Sequence, residues 1–163
     1  MKQPNKLPQP IVALLQSRLA DEYSAHFFYN AAANWANDKG FLKAAEYFLT
    51  EAADELTHAK GIEDYLVDWN VIPDIRVIAP LCVDFTNLGN VIEKAYAIEY
   101  KLLEDYDSIS KTIFVSDLCT FDFLQKYREI QVKAVAEYAT KLNILEEIEL
   151  TKINLLLIEK KLF

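Results

Sequence analysis

Three ionisable side chains, Glu51, Glu55 and His58, share one face of a long segment with a helical pattern. Residues three and four apart lie on the same side of a helix, and Phe48 and Ile62 make the rest of this side apolar. An apolar face is normally buried, so charged groups on it need partners. Glu55 and His58 have the Glu-x-x-His spacing with which helical bundles hold a metal ion.

The other three long segments each carry a polar interruption of their apolar face as well. These interruptions are Glu22 and His26 on the first, Glu99 on the third and Gln131 on the fourth. If the four segments pack as a bundle, Glu22, Glu99 and Gln131 can meet Glu55 and His58 at one level. Three carboxylates brought together stay ionised only beside cations, and two divalent ions would balance them. Carboxylate oxygens with one imidazole favour iron or manganese.

The composition predicts one globular, all-α domain spanning residues 1–163. The chain is 52% hydrophobic and 26% charged, which suits a single domain with a sizeable core. With 3 Gly and 5 Pro, and no proline after Pro80, long helices with few turns are expected. The net charge of −8 argues against a nucleic-acid partner and suits small cations, although solubility is the commoner reason for such a charge.

The cysteines and the beginning of the chain indicate a compartment. Cys82 and Cys119 form neither a Cys-x-x-Cys pair nor a disulfide framework, which fits a reducing environment. Residues 1–8 are a polar tail with prolines, expected to be flexible and without the apolar core of a signal peptide. No apolar run reaches the roughly 18 residues of a membrane span. A cytoplasmic protein with no membrane partner is therefore expected.

Helical periodicity predicts five helices, at about 9–37, 41–69, 87–114, 117–142 and 146–161. Gly40 is expected to cap the first helix, Asp117 to begin the fourth, and Asn143 to break it. The short link at Gly40 makes the first two helices antiparallel neighbours. Residues 70–86 contain two prolines and no helical period, so a crossover that travels the length of the bundle is expected there.

Three stretches of these helices carry a resemblance to a known family. They are Glu22-Tyr23-Ser24-Ala25-His26-Phe27-Phe28-Tyr29, Glu55-Leu56-Thr57-His58, and Thr120-Phe121-Asp122-Phe123-Leu124-Gln125 with Gln131 six residues further on. Together they resemble ferritin, most closely the bacterial non-haem type, over nearly the whole chain. The resemblance implies a ferritin-like four-helix bundle with a long crossover between its second and third helices and a short fifth helix at the C-terminus.

The resemblance also implies an activity, the oxidation of Fe(II) by O₂ or peroxide at a centre of two irons per subunit. The Fe(III) mineral would be stored in a hollow homo-oligomer of 24 subunits. The implied roles are first-iron ligands at Glu22 and His58, a bridging ligand at Glu55, a second-iron ligand at Glu99, a glutamine beside the second iron at Gln131, and a hydrogen-bond donor at Tyr29.

Some positions distinguish this chain from other diiron proteins, and at others the role of the residue is undecided. Tyr23, three residues before His26, rules out a second Glu-x-x-His motif, and Met1 is the only methionine, so the haem ligand of bacterioferritins is missing and no haem is expected. His26 could be a satisfied core histidine, a partner of a ligand, or an extra ligand. Glu51 is a candidate for passing iron onward. Further acids for a third iron site are missing at Lys133 and Ala134.

Two other functions remain compatible with the same residues. One is a ferritin-fold diiron or dimanganese oxidase or peroxidase of low oligomeric state that stores nothing. The other is a metal-free helical bundle used for interaction, in which the acids of the apolar faces are merely paired.

Overall fold

A computed structural model describes residues 7–74, 78 and 84–163 of the chain and contains five helices. They are α1 (Gln9–Lys39), α2 (Leu42–Asp68), α3 (Leu88–Ile113), α4 (Leu118–Glu146) and α5 (Lys152–Leu162). The first four pack side by side as a bundle and α5 packs across one end, so the predicted all-α fold is confirmed. Over the described ranges, none of these helices combines the length and the apolar character that crossing a membrane requires.

Local sequence accounts for most of the helix ends. Pro10 sits in the first turn of α1, where its missing N–H is not needed. Gly40 ends α1 with φ of 85°, and the N–H of Phe41 donates to the carbonyl of Ala36 at 2.9 Å, as the sequence predicts. Side-chain oxygens cap the N-termini of α3, α4 and α5 from Asn87, Asp117 and Thr151.

The predicted boundary between the last two helices is wrong. Helix α4 does not break at Asn143 but continues to Glu146, and α5 begins only at Lys152. Asn143 is exposed, so its low helix propensity costs well under about 1 kcal/mol, whereas Leu145 is buried and holds the last turn against the bundle. At the other end of the chain, residues 1–6 of the predicted tail lie outside the described residues, and Leu7 is buried.

Helix α3 begins at the end of the bundle opposite to the one where a simple hairpin after α2 would place it. Phe85, just before α3, packs edge-to-face on Phe28 and Trp35 in the C-terminal half of α1, at 5.8 Å between ring centroids in each case. Helix α2 ends at the opposite end of the bundle, so α3 runs antiparallel to α1 and parallel to α2. Residues 75–77 and 79–83 of the predicted crossover lie outside the described residues.

A carboxylate from α5 caps the N-terminus of α2, which has no side-chain cap of its own. Glu159 Oε1 accepts the backbone N–H groups of Lys43 at 2.7 Å and Ala44 at 2.9 Å. A negative charge at this end also complements the helix dipole. Phe163 packs on Tyr47 and Phe48, with ring centroids 5.0 and 5.3 Å apart, so α5 lies fixed along the end of the bundle.

Replacing Glu159 by Ala should loosen α5, because it leaves two N–H groups of α2 without acceptors. We expect a loss of roughly 2 kcal/mol in the free energy of unfolding, together with faster amide exchange in α5 and in the first turn of α2. Glu147→Ala, at an exposed position in the preceding link, serves as the control. Equal exchange rates in both variants would show that the cap does not hold α5.

Candidate metal centre

The predicted polar residues meet near the middle of the bundle, and each of the four long helices contributes at least one of them. Helix α1 supplies Glu22, α2 supplies Glu55 and His58, α3 supplies Glu99 and α4 supplies Gln131. Glu22 is 0% exposed, Glu99 and Gln131 are each 1% exposed, and Glu55 is 4% exposed. His58 is half-buried. The polar interruptions of four separate apolar faces thus meet inside one core.

Glu22, Glu55 and His58 form the tightest part of this group. Each offers one ligand atom, and the three atoms lie within 4.8 Å of one another. His58 Nδ1 is 3.2 Å from Glu55 Oε2 and 3.6 Å from Glu22 Oε2. Glu22 Oε2 has no hydrogen-bond donor among the residues that the structure describes. A buried carboxylate oxygen without a donor needs a cation or a proton beside it.

Glu99 and Gln131 form the other half of the centre. With its amide oriented to satisfy both polar atoms, Gln131 donates its nitrogen hydrogen to Glu99 Oε2 at 2.8 Å. The hydroxyl of Tyr29 donates to Glu99 Oε1. Glu99 raises the pKa of Glu55 by its charge, so the two halves interact electrostatically.

A second buried tyrosine, absent from the residues predicted from the sequence, donates to the site. Tyr106 on α3 donates its hydroxyl hydrogen to Glu22 Oε1, as Tyr29 on α1 donates to Glu99. The signal lay in the spacing, because Tyr29 follows Glu22 by seven residues and Tyr106 follows Glu99 by seven. Each phenol holds one carboxylate oxygen and leaves the second directed at the centre.

Protons balance the buried negative charge in the metal-free protein. Burial opposes a charged imidazole, but the carboxylates of Glu22 and Glu55 beside it outweigh burial and raise the pKa of His58 to about 10. Burial raises the pKa of Glu55 well above its usual range, and the charge of Glu22 adds to this. Burial also raises the pKa of Glu99 to about 7, although the Tyr29 hydrogen bond opposes the shift.

Glu22 is the carboxylate that stays ionised. Burial works against its charge, but the nearby His58 and Glu55 groups, together with the Tyr106 hydroxyl that donates to Oε1, hold the pKa of Glu22 below its ordinary value. The centre therefore holds protons on His58 and Glu55 where a divalent cation would satisfy the same oxygens. The donor set of carboxylates and one imidazole fits hard or borderline cations such as Fe(II) and Mn(II). Binding of such an ion would displace the protons.

His26 lies outside this cluster, with both ring nitrogens engaged. Its Nδ1 donates to the carbonyl of Ala52 at 2.6 Å, and its Nε2 accepts from Asn30 Nδ2 at 3.0 Å. Neither nitrogen keeps a lone pair for a metal in this arrangement. Of the three roles left open by the sequence, the hydrogen bonds support a histidine that joins α1 to α2.

Glu51 lies one turn before Glu55 and is half-buried. Burial, reinforced by the charges of Glu99 and Glu137, raises the pKa of Glu51 to about 7. Its carboxylate is not among the three clustered ligand atoms. Asp54 beside it is exposed. A role for Glu51 in passing iron onward stays a prediction.

The backbone at His58 is held from α4. Tyr127 donates its hydroxyl hydrogen to the His58 carbonyl at 3.0 Å, and its ring stands edge-to-face to the imidazole at 6.1 Å between centroids. This approach needs a glycine on α2, because a Cβ at Gly61 would lie 2.6 Å from the Tyr127 hydroxyl oxygen. Gly61 and Tyr127 together fix where the turn that carries His58 lies.

Comparisons of the sequence with known proteins point to one family. The family model for ferritin, described as a ferritin-like domain, matches residues 12–148. A probable bacterial non-heme ferritin-like protein of Haemophilus influenzae is 28% identical over 145 residues, covering 86% of this chain and 88% of that protein. A bacterial non-heme ferritin of Staphylococcus aureus is 24% identical over 157 residues, covering 96% and 95%.

Solved structures share the fold at lower identity. An open pore ferritin from the archaeon Archaeoglobus fulgidus superimposes with a TM-score of 0.89 at 19% identity, covering 96% of both chains. A humanized archaeal ferritin superimposes with a TM-score of 0.88 at 21% identity, covering 96% of this chain and 97% of that one. At these identities the likeness concerns the fold alone.

Replacing Gly61 by Ala should fail to give the stabilisation expected in a helix. That substitution normally adds about 1 kcal/mol, but here the new methyl group would collide with the Tyr127 hydroxyl. In a Tyr127→Phe background the collision is absent, so the gain should return. Urea unfolding of the four metal-free proteins of this cycle measures the difference. Equal gains in both backgrounds would contradict the close approach.

Removing the Glu99 carboxylate should flatten the pH dependence of metal-free stability. Since burial raises the pKa of Glu99 to about 7, the folded state keeps a proton that the unfolded chain releases, and stability falls as pH rises from about 4.5 to about 7. Relative to wild type, Glu99→Gln should therefore gain roughly 3 kcal/mol across that window. Glu104→Gln, exposed on the same helix, should keep the wild-type profile. If the free energy of unfolding of wild type and of Glu99→Gln changed with pH in parallel, the raised pKa of Glu99 would be refuted.

Proposed function

The chain belongs to the ferritin family, and on this premise we propose that it oxidises Fe(II) at the buried centre and stores the Fe(III) product in a hollow oligomer of identical subunits. The observation that carries the proposal is the Glu22 Oε2 atom, buried without a hydrogen-bond donor among the described residues and 3.6 Å from His58 Nδ1. Such an oxygen beside an imidazole and a second carboxylate is suited to a divalent cation.

Two Fe(II) ions per subunit suit the distribution of ligands. Glu22 and His58 would hold the first, Glu99 the second, and Glu55 would bridge them. Gln131 would steady Glu99 through its amide hydrogen bond, and Tyr29 would do so from the other side. Two divalent ions exceed the charge of three carboxylates, which favours release of protons from the centre as iron binds.

Oxidation then needs few further groups from the protein. Each Fe(II) gives up one electron, and O₂ takes two electrons and two protons to become hydrogen peroxide. Peroxide as the oxidant takes two electrons and two protons to become two waters. Protons displaced from His58 and Glu55 are a local supply for either reaction. The two phenols keep the carboxylates in place throughout, because their hydrogen bonds do not compete for the oxygens that face the centre.

Storage requires assembly, and apolar side chains on the surface favour it. Exposed residues cluster at the turn between α3 and α4 and on the outer side of α5: Phe114, Val115, Leu118, Ile153 and Leu157. Large exposed apolar groups of this kind mark surfaces that another subunit covers. Relatives and structures described as ferritins lead us to expect a cage. We propose that it has 24 subunits and that O₂ or peroxide is the oxidant.

The test is Fe(II) oxidation in air by the metal-free protein. Adding two Fe(II) per subunit should give a rapid rise in ferric absorbance, and Glu55→Gln or His58→Gln should slow it by about 100-fold or more, since each removes a ligand. Asp54→Asn, exposed next to Glu55, is the matched control and should keep the wild-type rate. Wild-type oxidation rates in all three variants would refute the proposal that Fe(II) is oxidised at this centre.

Light scattering of the same preparations tests storage separately. A large assembly that retains many irons per subunit supports a storage ferritin. A monomer or dimer that still oxidises Fe(II) would keep the centre and refute storage.

A further inference from the structure

A small cavity opens between α1 and α3, and the proposed function gives it no role. It has a volume of about 130 Å³ and is lined by Asp21, Ser24 and Ala25 of α1 and by Ile98, Lys101 and Leu102 of α3. At its floor, Ala25 is 1% exposed and Leu102 is 3% exposed, whereas Lys101 at its mouth is exposed. The cavity thus leads from the surface into the groove between the two helices.

The cavity lies at the level of two carboxylates of the centre. Its lining residues on α1 flank Glu22, and those on α3 flank Glu99. Residues three apart share one side of a helix, so Ala25 lies on the side of α1 that carries Glu22 into the core. Leu102 stands in the same relation to Glu99 on α3. The layer formed by Ala25 and Leu102 therefore separates the cavity from the centre.

The polar groups that line the cavity are already engaged. The Ser24 hydroxyl donates to the carbonyl of Ala20 at 2.9 Å. Asp21 is the one acid among the six lining residues, and its Oδ2 lies 2.5 Å from Nη2 of the buried Arg18. An ion that leaves water needs ligands in exchange, and without them its transfer costs several kcal/mol. The cavity therefore does not suit Fe(II).

The charges at the mouth of the cavity balance one another. Arg18 Nη1 lies 2.7 Å from Asp105 Oδ2 of α3, and Lys101 pairs with the same carboxylate. Together with Asp21, these groups are two acids and two bases, so the mouth has no net charge with which to attract an ion. Arg18 also joins α1 to α3 at this point. A mouth without net charge in front of buried Ala25 and Leu102 suits a small neutral molecule.

We propose that this cavity binds O₂ and delivers it to the centre past Leu102, while Fe(II) reaches the centre by another path. This inference rests on the proposed function, in which O₂ is a substrate. Apolar cavities of about 150 Å³ take up xenon, and O₂ is smaller than a xenon atom. Ala25 has no side-chain atom beyond Cβ, so the Leu102 side chain is the group that O₂ must displace on its way to Glu22 and Glu99.

Xenon tests the cavity independently of activity. Crystals of the metal-free wild type under xenon pressure should show anomalous density between Ser24 and Leu102. Ser24→Leu fills the cavity from α1 and Ile98→Phe fills it from α3, so each should lose that density. Ser108→Leu, at an exposed position of α3 outside the cavity, is the matched control and should keep it. A wild-type cavity that takes up no xenon would overturn the proposal.

The kinetics of Fe(II) oxidation at different O₂ concentrations test delivery. In Ser24→Leu and Ile98→Phe, the rate at limiting O₂ should fall on the order of tenfold and the rate at saturating O₂ should stay at the wild-type value, because only the arrival of O₂ changes. Binding of Fe(II) without oxygen should be unchanged in both variants, and Ser108→Leu should match wild type throughout. The wild-type dependence on O₂ in both filled variants would refute delivery through the cavity.

The outcomes separate the oxygen path from the function on which it rests. If wild type does not oxidise Fe(II) in air, the proposed function is overturned. If it does, and filling the cavity changes nothing, only the path is overturned. Circular dichroism establishes whether each filled variant is folded. The two variants fill the cavity from opposite walls, so either one decides if the other does not fold, and the xenon density of wild type requires neither.

Discussion

Glu22, Glu55 and Glu99 place three carboxylates in the dry middle of a helical bundle. Charge in such surroundings is tolerated only beside an opposite charge or a set of hydrogen-bond donors. In the metal-free protein that role falls to protons. Burial and the charge of Glu22 raise the pKa of Glu55, and the carboxylates beside His58 keep that imidazole cationic despite its burial. The buried phenols and the amide around the acids supply the remaining donors. A core that holds protons in this way is prepared to exchange them for cations.

The crossover between α2 and α3 makes the pairing of acids with phenols possible. Glu22 and Tyr29 are two turns apart on α1, or about 10 Å, and Glu99 and Tyr106 are two turns apart on α3. Because these helices run antiparallel, each glutamate lies opposite the other helix's tyrosine. A short hairpin would have made them parallel and set acid against acid. The direction of one connection thus decides whether the buried charges are satisfied.

Regular features of the sequence predict the bundle and the members of the centre, whereas contacts between distant segments are not encoded locally. Polar residues on apolar faces identified the acids that meet. His26 shares that signal, but it bonds the Ala52 carbonyl, and no spacing tells whether a neighbouring helix offers an acceptor. Glu159 caps α2 by accepting from the N–H of Ala44, which lies 115 residues earlier in the sequence. The predicted helix break at Asn143 is wrong because this residue is exposed, and an exposed position tolerates a weak helix propensity. Exposure depends on the tertiary structure, so the local sequence does not reveal it.

The two halves of the centre differ in their ligands. On one side an imidazole and two carboxylates converge, and on the other a single carboxylate, Glu99, is paired with the neutral amide of Gln131. Cations would bind the first side more tightly, so a half-filled centre would be populated whenever Fe(II) is scarce.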